Sequence, residues 1–259
     1  MEFLWIIQDS KGQHYNWIEL AKSIDNVGSR YVFFDKEKLN KFQIYNEYYP
    51  IIIGGDDFIE AARKNTKLDR GIFSSEAFFR VDSYAKKWGN EYLNHDVRFV
   101  SYDELLFMDN KRFFIRPILD NKCFDGHIIE KKQTIEKIVA KCEGCKYRKT
   151  RCICISPVKS IKKEWRAVII NEIPVTICRY LNDGKREVSQ TDVPSSLREF
   201  CVKKSSNCNA PVAWIMDVAE VENMYFVLEC NIFNASNFYD CNREKIVCSL
   251  ERALLRNCK

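Results

Sequence analysis

The chain has 259 residues, 46% of them hydrophobic and 30% charged, with a formal net charge of +5. That is enough for two lobes and a sizeable core, and the balance is that of a soluble globular protein. No apolar run approaches the ~20 residues a membrane helix needs, and the N-terminus lacks a basic region followed by a long apolar one, so neither a span nor a signal peptide is expected and the cytosol is favoured. Lysines and arginines are spread along the chain without an RNP-like, helix-turn-helix or zinc-finger signature. A nucleic-acid partner is therefore not expected, whereas a local excess of basic residues suits an anionic nucleotide.

In chain order, Phe3 to Ile7 is a strand candidate and Asn16 to Asp25 an amphipathic helix with Trp17, Leu20, Ala21 and Ile24 on one face. Tyr31 to Phe34 is a second strand. Tyr49 to Gly55 is a strand running into a glycine turn, followed by a helix from Asp57 to Asn65. Strands alternating with helices indicate an α/β lobe. Gly54-Gly55 after a strand is able to cradle a phosphate, although a plain left-handed turn is the simpler expectation. Ser83 to Trp88 reads as a helix, Ser101 to Glu104 as a helix start, and Arg112 to Pro117 as a strand. The charged loop Leu119 to Gly126 follows, then mixed strand and helix to Lys141. Cys152 to Val158 is a strand that stops at Pro157. Glu164–Ile170 and Ile173–Tyr180 form a hairpin around Asn171-Glu172, Asp192 to Cys201 is helical, and Cys241 to Cys258 is an amphipathic helix.

The stretch Val212 to Tyr239 holds two apolar runs, Val212–Met216 ending at Asp217 and Met224–Leu228 ending at Glu229, joined by the polar turn Glu220 to Asn223. Such a pair reads as a β-hairpin. Glu229 and Asn231 lie two apart and share a strand face, which Asp217 on the neighbouring strand also reaches. Oxygens from Asp, Glu and Asn are hard ligands suited to Mg²⁺, an ion that binds through one or two carboxylates plus substrate phosphates. Upstream stand cations for phosphates: Arg116 at a strand end, Lys122 in the loop, Arg166 two residues after Glu164, and Arg179 on the partner strand. Ile155-Ser156-Pro157-Val158 supplies an apolar edge strand for a base.

The strings IRPILDNKCFDG, EWRAVII with CRY some ten residues on, and IMDVA with LECNIF resemble the ATP-grasp fold. More narrowly the chain is similar to the divergent clade that includes the eukaryotic cell-division-cycle protein that assembles translation initiation factor two. YPIIIGG and KKWGNEYLN resemble the N-terminal lobe of that clade. The resemblance implies an α/β (α+β) protein of two lobes with ATP between antiparallel sheets, preceded by a small α/β N-terminal lobe. The expected division is 1–100 for that lobe and 101–259 for the ATP-grasp domain, with 101–158 carrying the phosphate loop and 159–259 the metal site.

By the same resemblance, Arg116 contacts ATP phosphates and Lys122 lies in the small loop that closes over them. The backbone of Ile155, Ser156, Pro157 and Val158 holds adenine, and Glu164 sits near the ribose or pairs with an arginine. Arg166 and Arg179 are catalytic, facing the γ-phosphate or an acyl-phosphate, and Asp217, Glu229 and Asn231 hold one or two Mg²⁺. The implied activity is an ATP- and Mg²⁺-dependent ligase joining a small-molecule, peptide or protein carboxylate to an amine or thiol. The alternative is an ATP-binding assembly chaperone without ligase chemistry. Asn234, Ser236 and Tyr239 are candidate substrate-side residues. Two further readings stay open: Cys142, Cys145, Cys152 and Cys154 have a spacing that Zn²⁺ accepts, and against it stands a set of reduced, mostly buried thiols.

Overall fold

The computed structural model describes residues 1–9, 15–108, 112–118, 124, 126–141 and 152–257. The chain divides into two compact units, Met1–Ser75 with Lys163–Val218 and Cys230–Lys259, and Glu76–Lys162 with Ala219–Glu229.

The first unit opens with β1 (Glu2–Gln8), α1 (Tyr15–Asn26), β2 (Arg30–Phe34), β3 (Tyr48–Ile53), α2 (Asp56–Arg63) and α3 (Thr66–Asp69). The strands are parallel in the order β2-β1-β3, with Trp5 opposite Tyr31 and Ile51. Near-continuous apolar runs fit a parallel sheet covered on both faces. Trp5, Ile7, Ile51 and Ile53 pack with Leu20 and Ile24 of α1. Ile6 and Ile52 point the other way, onto Phe58, Ile59 and Ala62 of α2. The left-handed turn expected at Gly54-Gly55 is not formed. Neither residue is among those with left-handed backbone, and Gly55 is the extended N-cap of α2. Glycine is needed at position 54 because an added Cβ would lie 2.5 Å from the Phe58 ring.

The second unit contains α4 (Glu76–Phe79), α5 (Val81–Trp88), β4 (Arg98–Val100), α6 (Tyr102–Leu106), β5 (Phe113–Pro117), β6 (His127–Ile129), α7 (Lys132–Lys141) and β7 (Ile153–Ser156). Its antiparallel sheet has the order β4-β7-β5-β6. Val100, Leu105, Phe113, Ile115, Ile138, Ile153 and Ile155 form its core. The helix start at Ser101 is a capping box: the Glu104 amide donates to Ser101 Oγ at 3.1 Å and Ser101 N donates to Glu104 Oε2 at 2.7 Å. Ser101→Ala is expected to cost about 1 kcal/mol, read as a lower urea midpoint with unchanged slope.

The expected edge strand is corrected here. β7 lies inside the sheet, with Ile155 opposite Arg98 on one side and Ile115 on the other. Its four residues are all buried, the signature of a strand covered on both faces. Beyond β4's reach, Ser156 pairs on one side with Phe114, and Pro157 and Val158 lie past the strand.

The chain then completes the first unit with β8 (Lys163–Ile170), β9 (Ile173–Asn182), β10 (Lys185–Ser189), α8 (Ser195–Ser205), β11 (Ala213–Val221), β12 (Met224–Ile232) and α9 (Arg243–Asn257). The strand order is β10-β9-β8-β11-β12. Each hairpin closes on two residues of positive φ: Asn171-Glu172 (49° and 66°), Asp183-Gly184 (46° and 73°) and Glu222-Asn223 (51° and 62°). Two such residues match the right-handed twist of the flanking strands. β11 and β12 are longer than the apolar runs suggest, so Asp217 and Glu229 stand inside strands and not at their ends. Residues Ala219–Glu229 belong to the second unit, where Leu93 N donates to Val227 O at 2.9 Å and Lys162 N to Glu220 O at 2.9 Å. α8 begins three residues later than expected, because Pro194 holds extended backbone ahead of it (φ −57°, ψ 150°). α9 docks against the N-terminal segment: Glu251 accepts from Trp5 Nε1 and from Ser29 Oγ, each at 2.8 Å.

Among the described residues no helix is long and apolar enough to cross a membrane.

Candidate active site

Strands β8, β11 and β12 bring three of the expected residues together. Arg166 on β8 donates from Nε to Asp217 Oδ1 at 2.8 Å and from Nη2 to Asp217 Oδ2 at 2.7 Å. Its Nη1 donates to the Asn237 carbonyl at 2.7 Å. Asn231 Nδ2 donates to Asp217 Oδ2 at 3.2 Å. The side chains of Arg166 and Asp217 are 9% and 1% exposed, so the pair is desolvated and its geometry carries its energy. Burial alone lowers the affinity of the guanidinium for its proton, but the Asp217 carboxylate beside it outweighs this and holds Arg166 firmly charged.

Arg179 does not join this group. β9 carries two irregularities against β8, between Val168 and Ile169 and between Glu164 and Trp165. The first shifts the pairing so that Arg166 lies opposite Cys178 and Arg179 opposite Trp165. Directly opposed residues share a sheet face, so the two arginines point to opposite faces. Arg179 is fixed on its own face by Asp192 and Glu187. Asp192 also accepts from Lys163 Nζ at 3.0 Å, and its carbonyl accepts from Trp165 Nε1 at 2.6 Å. Glu164, opposite Leu181, returns to the Arg166 face.

The second unit holds the other expected residues. Arg116 Nη1 on β5 donates to Glu229 Oε2 at 2.9 Å. Arg116 lies opposite Cys154, whose thiol burial pushes up to about 12, against the lowering effect of Arg116. Ser156 Oγ donates to Asn94 Oδ1 at 3.0 Å in a buried bond. Arg80, which the sequence does not single out, grips Asp82 with two bonds of 2.9 Å. The bond from Arg80 holds the Asp82 carboxyl below its ordinary value despite burial. No motif marks this arginine; the irregular segment that carries it conveys no periodicity. Lys122 lies outside the described residues, as do Cys142 and Cys145 of the cysteine cluster.

Of the suggested substrate-side residues, Asn234 is corrected. It is fully buried. Its amide donates to Ile52 O at 2.6 Å and Gly71 O at 2.9 Å, and its Oδ1 accepts from Phe73 N at 2.7 Å. It ties backbone segments together. Ser236 Oγ donates to Ile232 O at 2.6 Å. Tyr239 stands beside Arg166, whose guanidinium carbon lies 4.8 Å from its ring centre.

Among the described residues no group of three or more His, Cys, Asp or Glu is arranged to hold a metal. A mixed carboxylate and amide set is a different donor type, and Asp217 with Asn231 fits a hard cation. Among the described residues most cysteines are buried thiols: Cys201 is pushed up to about 12 by burial, whereas Cys248 is exposed. A raised thiol value leaves only about 10⁻⁴ of the group as thiolate at pH 8. Iodoacetamide on the native protein is therefore expected to label Cys248 and to spare Cys154 and Cys201 until denaturant is added, as read by peptide mass spectrometry.

No curated protein matches the chain. Solved structures do. A D-alanine–D-alanine ligase from Bacillus anthracis is 12% identical, with a TM-score of 0.62 over 99% of this chain and 98% of that one. The ATP-grasp ligase PsnB complexed with minimal precursor is 10% identical, with a TM-score of 0.61 over 98% and 100%. A RimK domain protein ATP-grasp from Sphaerobacter thermophilus DSM 20745 is 10% identical, with a TM-score of 0.58 over 97% and 99%. At such identities the likeness shows the fold. The family comparison goes further, since residues 92–248 match the model of the ATP-grasp domain, R2-K clade family 2. This match supports the ATP-grasp assignment and not the narrower resemblance to the eukaryotic assembly chaperone. Covering more than half of the chain and both hairpins that carry Arg166 and Asp217, it establishes that the protein belongs to family 2 of the R2-K clade of ATP-grasp domains.

Proposed function

We propose that the protein is an ATP- and Mg²⁺-dependent ligase that activates a carboxylate as an acyl-phosphate and passes it to an amine or thiol, with a peptide or protein as one substrate. The observation that carries this is the desolvated Arg166–Asp217–Asn231 cluster, set within a chain of ATP-grasp membership. Structures with the same fold include the D-alanine–D-alanine ligase complexed with ATP and PsnB complexed with minimal precursor, Mg and ADP, or with precursor peptide and AMPPNP.

In this reading Asp217, Glu229 and Asn231 hold Mg²⁺, which when bound neutralises phosphate charge. Arg116 and Lys122 bind the phosphates, and Glu164 and the backbone of Ser156 to Val158, continuing from Ile155, orient the nucleoside. Arg166 stabilises negative charge developing on the transferred phosphoryl group. It is desolvated and pre-aimed by Asp217 and the Asn237 carbonyl, so little reorganisation opposes it at the moment of reaction. Arg179, on the opposite sheet face, assists by bracing β9 through Asp192 and Glu187. The cytosol is the proposed compartment. Incubation with Mg·ATP and cell extract tests the reading: ADP together with a mass-shifted product supports it, and bound nucleotide with no new covalent product favours an assembly role.

A further inference from the structure

Tyr239 is the one aromatic side chain with left-handed backbone among the described residues, with φ at 46°. The other non-glycine residues in that region are Asn, Asp and Glu, most of them in the hairpin turns. A left-handed aromatic residue is a costly outlier that persists only when its surroundings over-determine it. Here four contacts do so. Tyr239 N donates to Asn237 Oδ1 at 2.6 Å. Its carbonyl accepts from Arg243. Its ring stacks on Tyr180 with centroids 4.8 Å apart and planes 12° apart. Arg166 lies over both rings.

The neighbouring edge strand adds a cation. β10 places Arg186 opposite Leu181, and Leu181 is opposite Glu164. Arg186 therefore shares the sheet face of Glu164 and Arg166. Its guanidinium lies 5.6 Å from the Tyr239 ring centre, and the residue is solvent-exposed. Lys185, the preceding residue, is opposite Asn182 and points to the other face. The half-buried pair of phenols thus stands between the buried arginine of the candidate centre and an exposed arginine, all within the first unit.

We infer that Tyr180, Tyr239 and Arg186 form the subsite that selects the carboxylate substrate, and that this substrate carries a further anionic group, as an acidic peptide does. The inference rests on the ligase reading. The strained tyrosine holds its phenol at a fixed distance from Arg166, and Arg186 receives the second carboxylate outside the reacting centre. A charge-assisted contact of this kind changes affinity by about tenfold or more.

The test uses the full chain with fluorescein-labelled hexaglutamate, read by anisotropy in the presence of Mg·AMPPNP. The expected result is saturable binding that hexalysine does not show, weakened about tenfold or more by Arg186→Glu. The same charge reversal at Lys185 (K185E), on the opposite face, is expected to weaken it far less. Tyr239→Gly accepts the left-handed backbone and removes only the ring, so a purely structural tyrosine predicts unchanged probe binding in the folded variant, whatever the change in thermal stability. The proposal predicts a folded protein with weakened probe binding. No binding of hexaglutamate, equal losses in R186E and K185E, or unchanged binding in Y239G each overturns the subsite. Calorimetry of Mg·ATP alone on the wild-type protein separates this from the ligase reading: nucleotide bound without hexaglutamate sinks only the subsite, and no nucleotide bound sinks the reading beneath it.

Discussion

Replacing Asp217 by alanine is expected to lower the unfolding free energy by about 3–5 kcal/mol, measured by urea denaturation. The mechanism is the charge left behind. Arg166 is 9% exposed and directs two of its nitrogens at Asp217. Without the carboxylate, a buried guanidinium keeps the Asn237 carbonyl and the faces of Tyr180 and Tyr239 but has no counter-charge from Asp217. Arg166→Met alone is expected to hurt less, because its partner Asp217 keeps a bond from Asn231 and is able to take up a proton. The double substitution of Arg166 by Met and Asp217 by Leu removes both charges. It is expected to recover a large part of the D217A loss, since a buried ion pair is often replaceable by apolar groups of similar volume. Such recovery of stability together with loss of nucleotide binding is the combination expected of a pair kept for chemistry.

Asn234→Asp should be the other large effect, about 3 kcal/mol or more near neutral pH. The substitution keeps the shape and turns a two-fold donor into an anion aimed at the carbonyls of Ile52 and Gly71. Burial and those two carbonyls raise the folded-state value of the new carboxyl above its unfolded one of about 3.9. The sign follows from linkage. Below pH ~4 both states are protonated and the charge penalty is absent; above it the penalty grows by about 1.4 kcal/mol per pH unit until the folded-state value is passed. Stability of N234D relative to wild type is therefore expected to fall as pH rises from 4 to 7. A pH-independent difference in denaturation midpoints argues against this.

Much of the architecture is legible from pattern alone. The alternation of β1, α1, β2, β3 and α2 follows from apolar runs and helical periodicity, and Ser101 with Glu104 announces α6. β10 escapes such a reading because its residues Lys185-Arg186-Glu187-Val188 are exposed and show no apolar alternation. The Asp183-Gly184 turn is nevertheless a readable hairpin signal. The edge assignment for Ile153–Ser156 fails because sheet order is a non-local property: β4, which covers it, is three residues long and carries almost no signal.

The candidate site is legible in residue type more than in direction. Asp217, Asn231 and Arg166 meet as the spacing of oxygens and cations suggests. Arg179 does not, because the irregularity near Val175 inserts one residue into β9 and turns over the stretch from Thr176 to Arg179, until the second irregularity before Leu181 turns the strand back. A one-residue shift inverts the face of the side chains that follow it, and its one local mark is Pro174, a residue that inner strands admit mainly at bulges. Asn234 illustrates the opposite error. A polar residue just beyond a candidate ligand looks available, yet its amide is consumed by the backbone of the first unit.

Isothermal calorimetry of Mg·ATP against the wild-type protein and Glu229→Gln tests the central claim most directly. Glu229 is 30% exposed and paired with Arg116, so its amide variant is expected to fold. ATP binding is expected to require Mg²⁺ and to weaken by about 10²-fold in E229Q. Binding that ignores Mg²⁺, no binding at all, or equal affinity in a folded E229Q would contradict that claim.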